Sequence, residues 1–243
     1  MGKVGIAIAF VLVVAVLAAG FFWVANGGNH GGTITPQGSP TDTSGTTPPT
    51  LVLGAPSSTA PAGYQNIADG ATTILYPTAD FSVATSTPQM TVHSYIPPCD
   101  PDFDYCVYYI GTAYHGTNFD SAGIRILNRT DLTTETACLT TPPTGYTNFT
   151  PTSTTGSDYS VSEFAPLGDA GAGHFAKDVL YRVEYNGACY EFETRIGQSQ
   201  FANYPAGSIQ EFTIADQTNL QAEMQMILAN TTLPGGETIT FPN

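Results

Sequence analysis

Three aspartates at alternate positions, Asp100, Asp102 and Asp104, have the most ligand-like spacing in the chain. A D-x-D-x-D run supplies oxygens to Ca²⁺ in EF-hand loops, which also need Gly at the sixth position and Glu at the twelfth. Here those positions hold Tyr105 and Gly111, so the EF-hand reading fails. What remains is a looser Ca²⁺ site or an acidic hairpin tip, and the tip is preferred. The four histidines, His30, His93, His115 and His174, are scattered without HExxH or His-x-His spacing. Asp169 and Asp178 lie near His174 in sequence, which permits a Ser/His/Asp triple on paper. No G-x-S-x-G elbow supplies its nucleophile. Tyr105, Tyr108, Tyr109 and Tyr114 could present aromatic faces to a sugar or peptide, but tyrosine equally suits a strand, with its ring packed and its hydroxyl wet. The sequence therefore names no catalytic residue and no cofactor, and only the three aspartates as metal candidates.

The cysteines, Cys99, Cys106, Cys138 and Cys189, are 4 in number. An even count in an oxidising compartment favours disulfides over free thiols, which also removes a thiol nucleophile. Zinc would want tight C-x-x-C spacing that this chain lacks. Three pairings are open. The preferred one is Cys99–Cys106, closing CDPDFDYC, with Cys138–Cys189 tying distant elements, contributing about 2.5 and about 4 kcal/mol by chain entropy.

The compartment follows from the elements that must carry these residues. Val4 to Ala25 holds no charged or strongly polar side chain. As a helix it would span roughly 33 Å, the thickness of a bilayer's hydrocarbon core. Secretory signals have apolar regions of only about 7–15 residues, so residues 1–25 read as a single-pass transmembrane anchor. Cleavage after Ala19 or Ala25 is the alternative. Lys3 is the only charge before Asp42, which places the N-terminus in the cytoplasm and the rest of the chain outside. A lipoprotein is excluded because the first cysteine is Cys99, and a pilin because no acidic residue accompanies the apolar run.

Residues 26–63 form a Thr/Pro/Gly/Ser-rich tether that buries too little apolar surface to fold alone. As a flexible coil it would reach roughly 35 Å. Residues 64–243 form the exported domain. The chain's net charge is −14, with 6 bases against 20 acids, a balance that repels phosphate backbones and argues against nucleic acid.

Within the domain, Ala71–Pro77, Phe81–Thr85, Met90–Ile96, Tyr105–His115, Ala122–Asn128 and Tyr159–Phe164 have strand character, and Asp131–Leu139 suggests a short helix. Thr141–Asp158 and Gly168–Ala176 read as connections. The clearest signal is VLYRVEY-NG-ACYEFETRI, Val179–Ile196, where Asn186-Gly187 is the favoured pair for a type I′ turn. A two-residue turn sets Tyr185 against Ala188, Val183 against Tyr190 and Tyr181 against Phe192 on one apolar face. The other face carries Glu184 opposite Cys189 and Arg182 opposite Glu191, a charge pair worth about a few tenths of a kcal/mol. Ala215–Asn230 reads as a helix capped by Asp216 or Thr218, with Leu220, Met224, Ile227 and Leu228 in one stripe. Glu237–Phe241 suggests a last strand. The expected fold class is α+β: an antiparallel β-sheet with a C-terminal helix packed on one face.

Leu75-Tyr76-Pro77, Thr136-Ala137-Cys138-Leu139, Ala170-Gly171-Ala172-Gly173, Cys189-Tyr190-Glu191-Phe192 and Met226-Ile227-Leu228 together resemble a family of membrane-anchored extracytoplasmic domains, without assigned activity, of candidate-phylum bacteria. The layout also looks distantly like the PsbP-like α/β sandwich. The resemblance spans most of residues 70–232 and carries no catalytic residue to transfer. The 99–106 Cys loop is outside its pattern. The expected function is a non-enzymatic interaction module, tethered to the membrane and meeting an envelope protein or the cell wall. A module binding a glycan, peptide or Ca²⁺ is the alternative.

Overall fold

The computed structural model describes residues 60–68, 72–90, 94–147 and 149–242. The expected anchor and nearly all of the expected tether lie outside the described residues, among which no helix is long and apolar enough to cross a membrane.

The domain is mostly antiparallel β-structure with few helices. A small sheet holds β1 (Tyr64–Ala68), β2 (Thr73–Pro77) and β11 (Thr231–Thr232), in the order β1-β2-β11. The large sheet has eight strands: β3 (Phe81–Ala84), β4 (Tyr105–Tyr109), β5 (Phe119–Asn128), β6 (Thr152–Thr155), β7 (Tyr159–Leu167), β8 (Ala170–Gly171), β9 (His174–Tyr185) and β10 (Ala188–Ser199). Its order is β3-β4-β5-β10-β9-β7-β6, with β8 paired to β9. Two α-helices complete the domain, α1 (Glu135–Thr140) and α2 (Ile214–Ala229).

The β9–β10 hairpin has the register that its turn demands. Tyr185 faces Ala188, Val183 faces Tyr190, Tyr181 faces Phe192 and Arg182 faces Glu191. Asn186 and Gly187 both take positive φ, at 51° and 80°, which is the type I′ requirement. Because side chains alternate across a strand, this register sorts β10 into an apolar row, Tyr190, Phe192 and Ile196, and a polar row, Glu191, Glu193 and Arg195.

Helix α2 covers the apolar row. Leu220, Met224, Ile227 and Leu228 are its buried residues, and each fully buried side chain contributes about 1.5–3 kcal/mol. At the edge of that stripe, Gln221 Nε2 donates to Thr194 Oγ1 at 3.0 Å and Gln225 Nε2 to the Tyr181 hydroxyl at 2.7 Å. The cap is Thr213, one turn earlier than Asp216 or Thr218. Its hydroxyl accepts from the Asp216 N–H, and the Asp216 carboxylate accepts from the Thr213 N–H, forming a capping box. Phe241 adds edge-on contacts to Tyr181 and Phe192, with ring centroids 5.0 and 5.5 Å apart.

Several expectations are corrected. Ser94–Ile96 is not strand, and residues 91–93 lie outside the described residues. Here Ile96 packs against Gly197, whose missing Cβ would lie 2.7 Å from the isoleucine. Glu237–Phe241 makes only an isolated bridge, Thr232 to Thr238, while Ile239 and Phe241 plug the core. Within the expected 141–158 connection, Thr152–Thr155 pairs with β7 as an edge strand. All four of its residues are exposed, so no burial pattern announced it. Helix α1 starts only at Glu135, because Thr134 is extended and its hydroxyl caps the helix by accepting from the Ala137 N–H at 3.1 Å.

Candidate functional site: a charged groove on the open sheet face

The polar row of β10 is matched by its neighbours. Register places Arg182 against Glu191 and Asp178 against Arg195 across β9, and Arg125 against Glu193 across β5. All four arginines of the chain, Arg125, Arg129, Arg182 and Arg195, thus gather at this face.

Two disulfides fix the surroundings. Cys99–Cys106 (Cα–Cα 6.0 Å) closes the acidic loop against β4 and β5. The loop approaches so closely that a Cβ on Gly123 would lie 2.7 Å from the Pro98 carbonyl oxygen. Cys138–Cys189 (Cα–Cα 5.6 Å) pins α1 to β10, and the Thr141 carbonyl after α1 accepts a hydrogen bond from Arg182 Nη1. Between these walls lies a groove of about 410 Å³.

Glu191 is the hub. Its Oε2 accepts from Arg182 Nε at 2.7 Å and Arg129 Nη1 at 2.6 Å, and its Oε1 from Arg125 Nη2 at 2.6 Å. Arg125 Nε reaches Glu193 at 2.6 Å, and Arg129 holds Asp131 through two bonds of 2.8 Å. Arg182 and Glu191 are only 1% and 2% exposed, so the pair read from sequence as a weak surface contact is a buried one. Such a pair is costly to break, because the surviving charge stays desolvated. Burial pushes Glu191 upward, yet Arg125, Arg182 and Arg129 together hold its carboxyl below the usual range. Glu193 goes the other way, since burial outweighs Arg125.

The opposite end is unbalanced. Arg195 Nη2 donates to Asp169 at 2.6 Å and its Nη1 bonds Asp100. Its Nε lies 3.6 Å from Asp178 Oδ1, too far for a hydrogen bond. Neither of those two buried atoms has a hydrogen-bond partner. Burial drives the Asp178 carboxyl up to about 7, despite Arg195, with Glu193, Asp169 and Asp100 adding repulsion. One half of the groove is therefore neutral: Arg125, Arg129 and Arg182 stand against Glu191, Glu193 and Asp131. In the other half, Arg195 alone meets Asp100, Asp169 and Asp178.

The three aspartates singled out from the sequence do not converge. Asp100 goes to Arg195; the Asp102 backbone carbonyl accepts from Arg125 Nη1 at 3.2 Å; the Asp104 carboxylate accepts from the Asn128 N–H at 2.7 Å. Among the described residues no three His, Cys, Asp or Glu side chains are grouped to hold a metal ion. His174 Nδ1 lies 2.9 Å from Ser199 Oγ, and its ring stacks on Tyr95 at 4.0 Å. Asp169 and Asp178 both turn to Arg195, so they do not complete a triad there. His115 is exposed; His30 and His93 lie outside the described residues. Tyr108, Tyr109 and Tyr114 are buried and Tyr105 half-buried, so three of these four rings are spent on packing.

The groove escaped the sequence reading because its residues are scattered from Asp100 to Arg195. Its signal was present in the hairpin: carrying the Arg182–Glu191 register outward lines up Leu180 with Glu193 and Asp178 with Arg195. Comparison with protein-family models and with curated proteins gives no match.

Proposed function

We propose that this chain is a membrane-tethered extracytoplasmic interaction module whose groove on the open sheet face receives a polar segment of another envelope component. The observation that carries the reading is the groove itself, with buried ion pairs on its floor and a rim left open. Prealigned charges on a rigid sheet give specificity and steer encounter. The neutral half, in which each ion is tied to an opposite one, suits recognition better than proton transfer. The apolar run at residues 4–25 and the disulfides, which belong to an oxidising compartment, support the location. The resemblance to membrane-anchored extracytoplasmic domains agrees with it. A small-ligand module is the second reading, favoured by a volume of about 410 Å³, within the range of small-molecule sites.

The test places a photocrosslinking residue at Thr144, an exposed groove position, and at Thr154 on the far edge strand, in the full-length chain in its native envelope. A recurrent adduct from Thr144 and not from Thr154 is the expected result. Equal adducts from both, or none from Thr144, would remove the groove from the function. Added protease should reach the domain from outside the intact cell membrane; protection would overturn the topology.

A further inference from the structure

We propose that the end of the domain at which the tether enters is a lipid-contacting surface, lying on the anchoring membrane and preferring headgroups without net charge. This rests on the membrane-tethered reading above and adds which way the domain faces.

Two independent observations meet at that end. The first is apolar exposure. Of the large hydrophobic side chains exposed among the described residues, Tyr95, Ile110, Phe201, Tyr204 and Ile214 all lie there, and only Met226 lies elsewhere. Tyr95 and Ile214 are 78% and 80% exposed. Contacts between the loops gather them. The Tyr95 ring stacks on His174, which opens β9 and pairs with Ser199 at the close of β10. The turn carrying Phe201 and Tyr204 follows at once, tied back where the Gln200 N–H donates to the Gly173 carbonyl at 2.7 Å. Ile110 follows β4, and the loop after it is bridged from Thr117 to Gln210. Ile214 opens α2, where Gln217 Nε2 donates to Gln198 Oε1 at 3.1 Å. Rings with a polar tip and apolar side chains left in water at one end suit a membrane interface, which takes up both.

The second is the path of the chain. Just before β1, the Gly63 carbonyl accepts from the Thr78 N–H at 2.9 Å, and two residues on the Asp80 carbonyl accepts from the Ile110 N–H at 2.8 Å. The domain is therefore entered from the tether beside Ile110, at the end that exposes the apolar side chains. A tether makes the lipid contact intramolecular, so a contact too weak to hold a free domain suffices. Charge selects the lipid. None of these loops carries Lys or Arg, while Asp80 and Glu211 are exposed on them, so an anionic surface is repelled and a neutral or zwitterionic one is not. The neutral half of the groove lies toward the other end of the strands, by the Asn186-Gly187 turn, and is so kept clear of the lipid.

The experiment places the full-length chain in phosphatidylcholine nanodiscs, with a nitroxide first on the headgroups and then deep in the acyl chains, and follows backbone amide signals. The headgroup label should erase the signals of Tyr95, Ile110, Phe201, Tyr204 and Ile214 and leave those of Gly187 and Asp158 intact. Combining Tyr95→Ser, Phe201→Ser and Tyr204→Ser should bring back the Ile110 and Ile214 signals. Phosphatidylglycerol added to the bilayer should bring them back in part in the wild-type chain. Uniform loss over the domain, loss centred on Gly187, no loss, or undiminished loss in phosphatidylglycerol would overturn the proposal, even where the triple variant does not fold. If the acyl-chain label erases residues 4–25 while the headgroup label spares the domain, the tethered reading stands, the lipid inference falls, and this end is left to a protein partner. If residues 4–25 do not respond, the tethered reading itself fails and takes the inference with it.

Discussion

The two faces of the large sheet are built from the same strands and solve opposite problems. On one, Phe192, Val183 and Ile124 are fully buried beneath α2 and the segment around Phe241. Stability there is apolar area removed from water, which is non-directional and tolerates small shifts. On the other, Glu191 and Arg182 are as deeply buried, but each depends on partners at hydrogen-bonding distance. Adjacent residues 191 and 192 thus belong to different physics. A packed face gives the domain its free energy of folding, whereas buried ion pairs add little net stability yet are costly to break.

Glu191→Gln should produce the largest loss, about 3–5 kcal/mol, because three guanidiniums lose their shared counter-charge while remaining at least partly buried. Phe192→Ala should cost a similar about 3–5 kcal/mol through lost burial and cavity. Their pH dependence separates them. The Glu191 carboxyl is held below its ordinary value in the folded state, so its stabilisation is present above about pH 4 and is lost as pH falls through the folded value. Denaturant melts should show the Glu191→Gln penalty fading in acid, while the Phe192→Ala penalty persists. Equal fading would erase the distinction between the faces.

A gradual effect, spread over several pH units, comes from Asp178. Its folded carboxyl titrates at about 7, so between about pH 4 and pH 7 the folded state keeps a proton that the unfolded chain has released. Stability must therefore fall as pH rises through that window, by no more than about 1.4 kcal/mol per pH unit for one proton. Asp178→Asn should flatten that slope, and an unchanged slope would assign it to other acids raised by burial, such as Glu193 and Glu223. The smallest change is expected from Thr213→Ala. Loss of the capping box should cost about 1 kcal/mol and loosen only the apolar side, leaving the groove intact by amide-shift mapping.

The apolar face was far more legible in the sequence than the charged one. Leu220, Met224, Ile227 and Leu228 announced the α2 stripe because 3.6-residue periodicity is a local property, and the Asn186-Gly187 turn fixed its hairpin's register for the same reason. The even number of cysteines likewise pointed to disulfides, which are present. Burial of Arg182 and Glu191 was not legible, since it depends on the Cys loop and the segment after α1 closing over them from distant parts of the chain. Pairing also escaped notice where nothing is buried, as in β6. The run at Glu237–Phe241 misled in the other direction, because its alternation serves core packing and its pairing with β11 stops at a single bridge.

The two-residue turn at Asn186-Gly187 has a consequence for the order of assembly. Closing a loop costs entropy that grows with its length, and this is the shortest connection between two long strands. Ordering is therefore expected to start in the later part of the chain, with β9 and β10 forming a template to which β5 and β7 add from earlier sequence. The pairing of β2 with β11 joins segments from opposite ends of the described chain, so it belongs to the final stage. Substitutions in the turn should slow folding, whereas substitutions at Thr231 should chiefly speed unfolding.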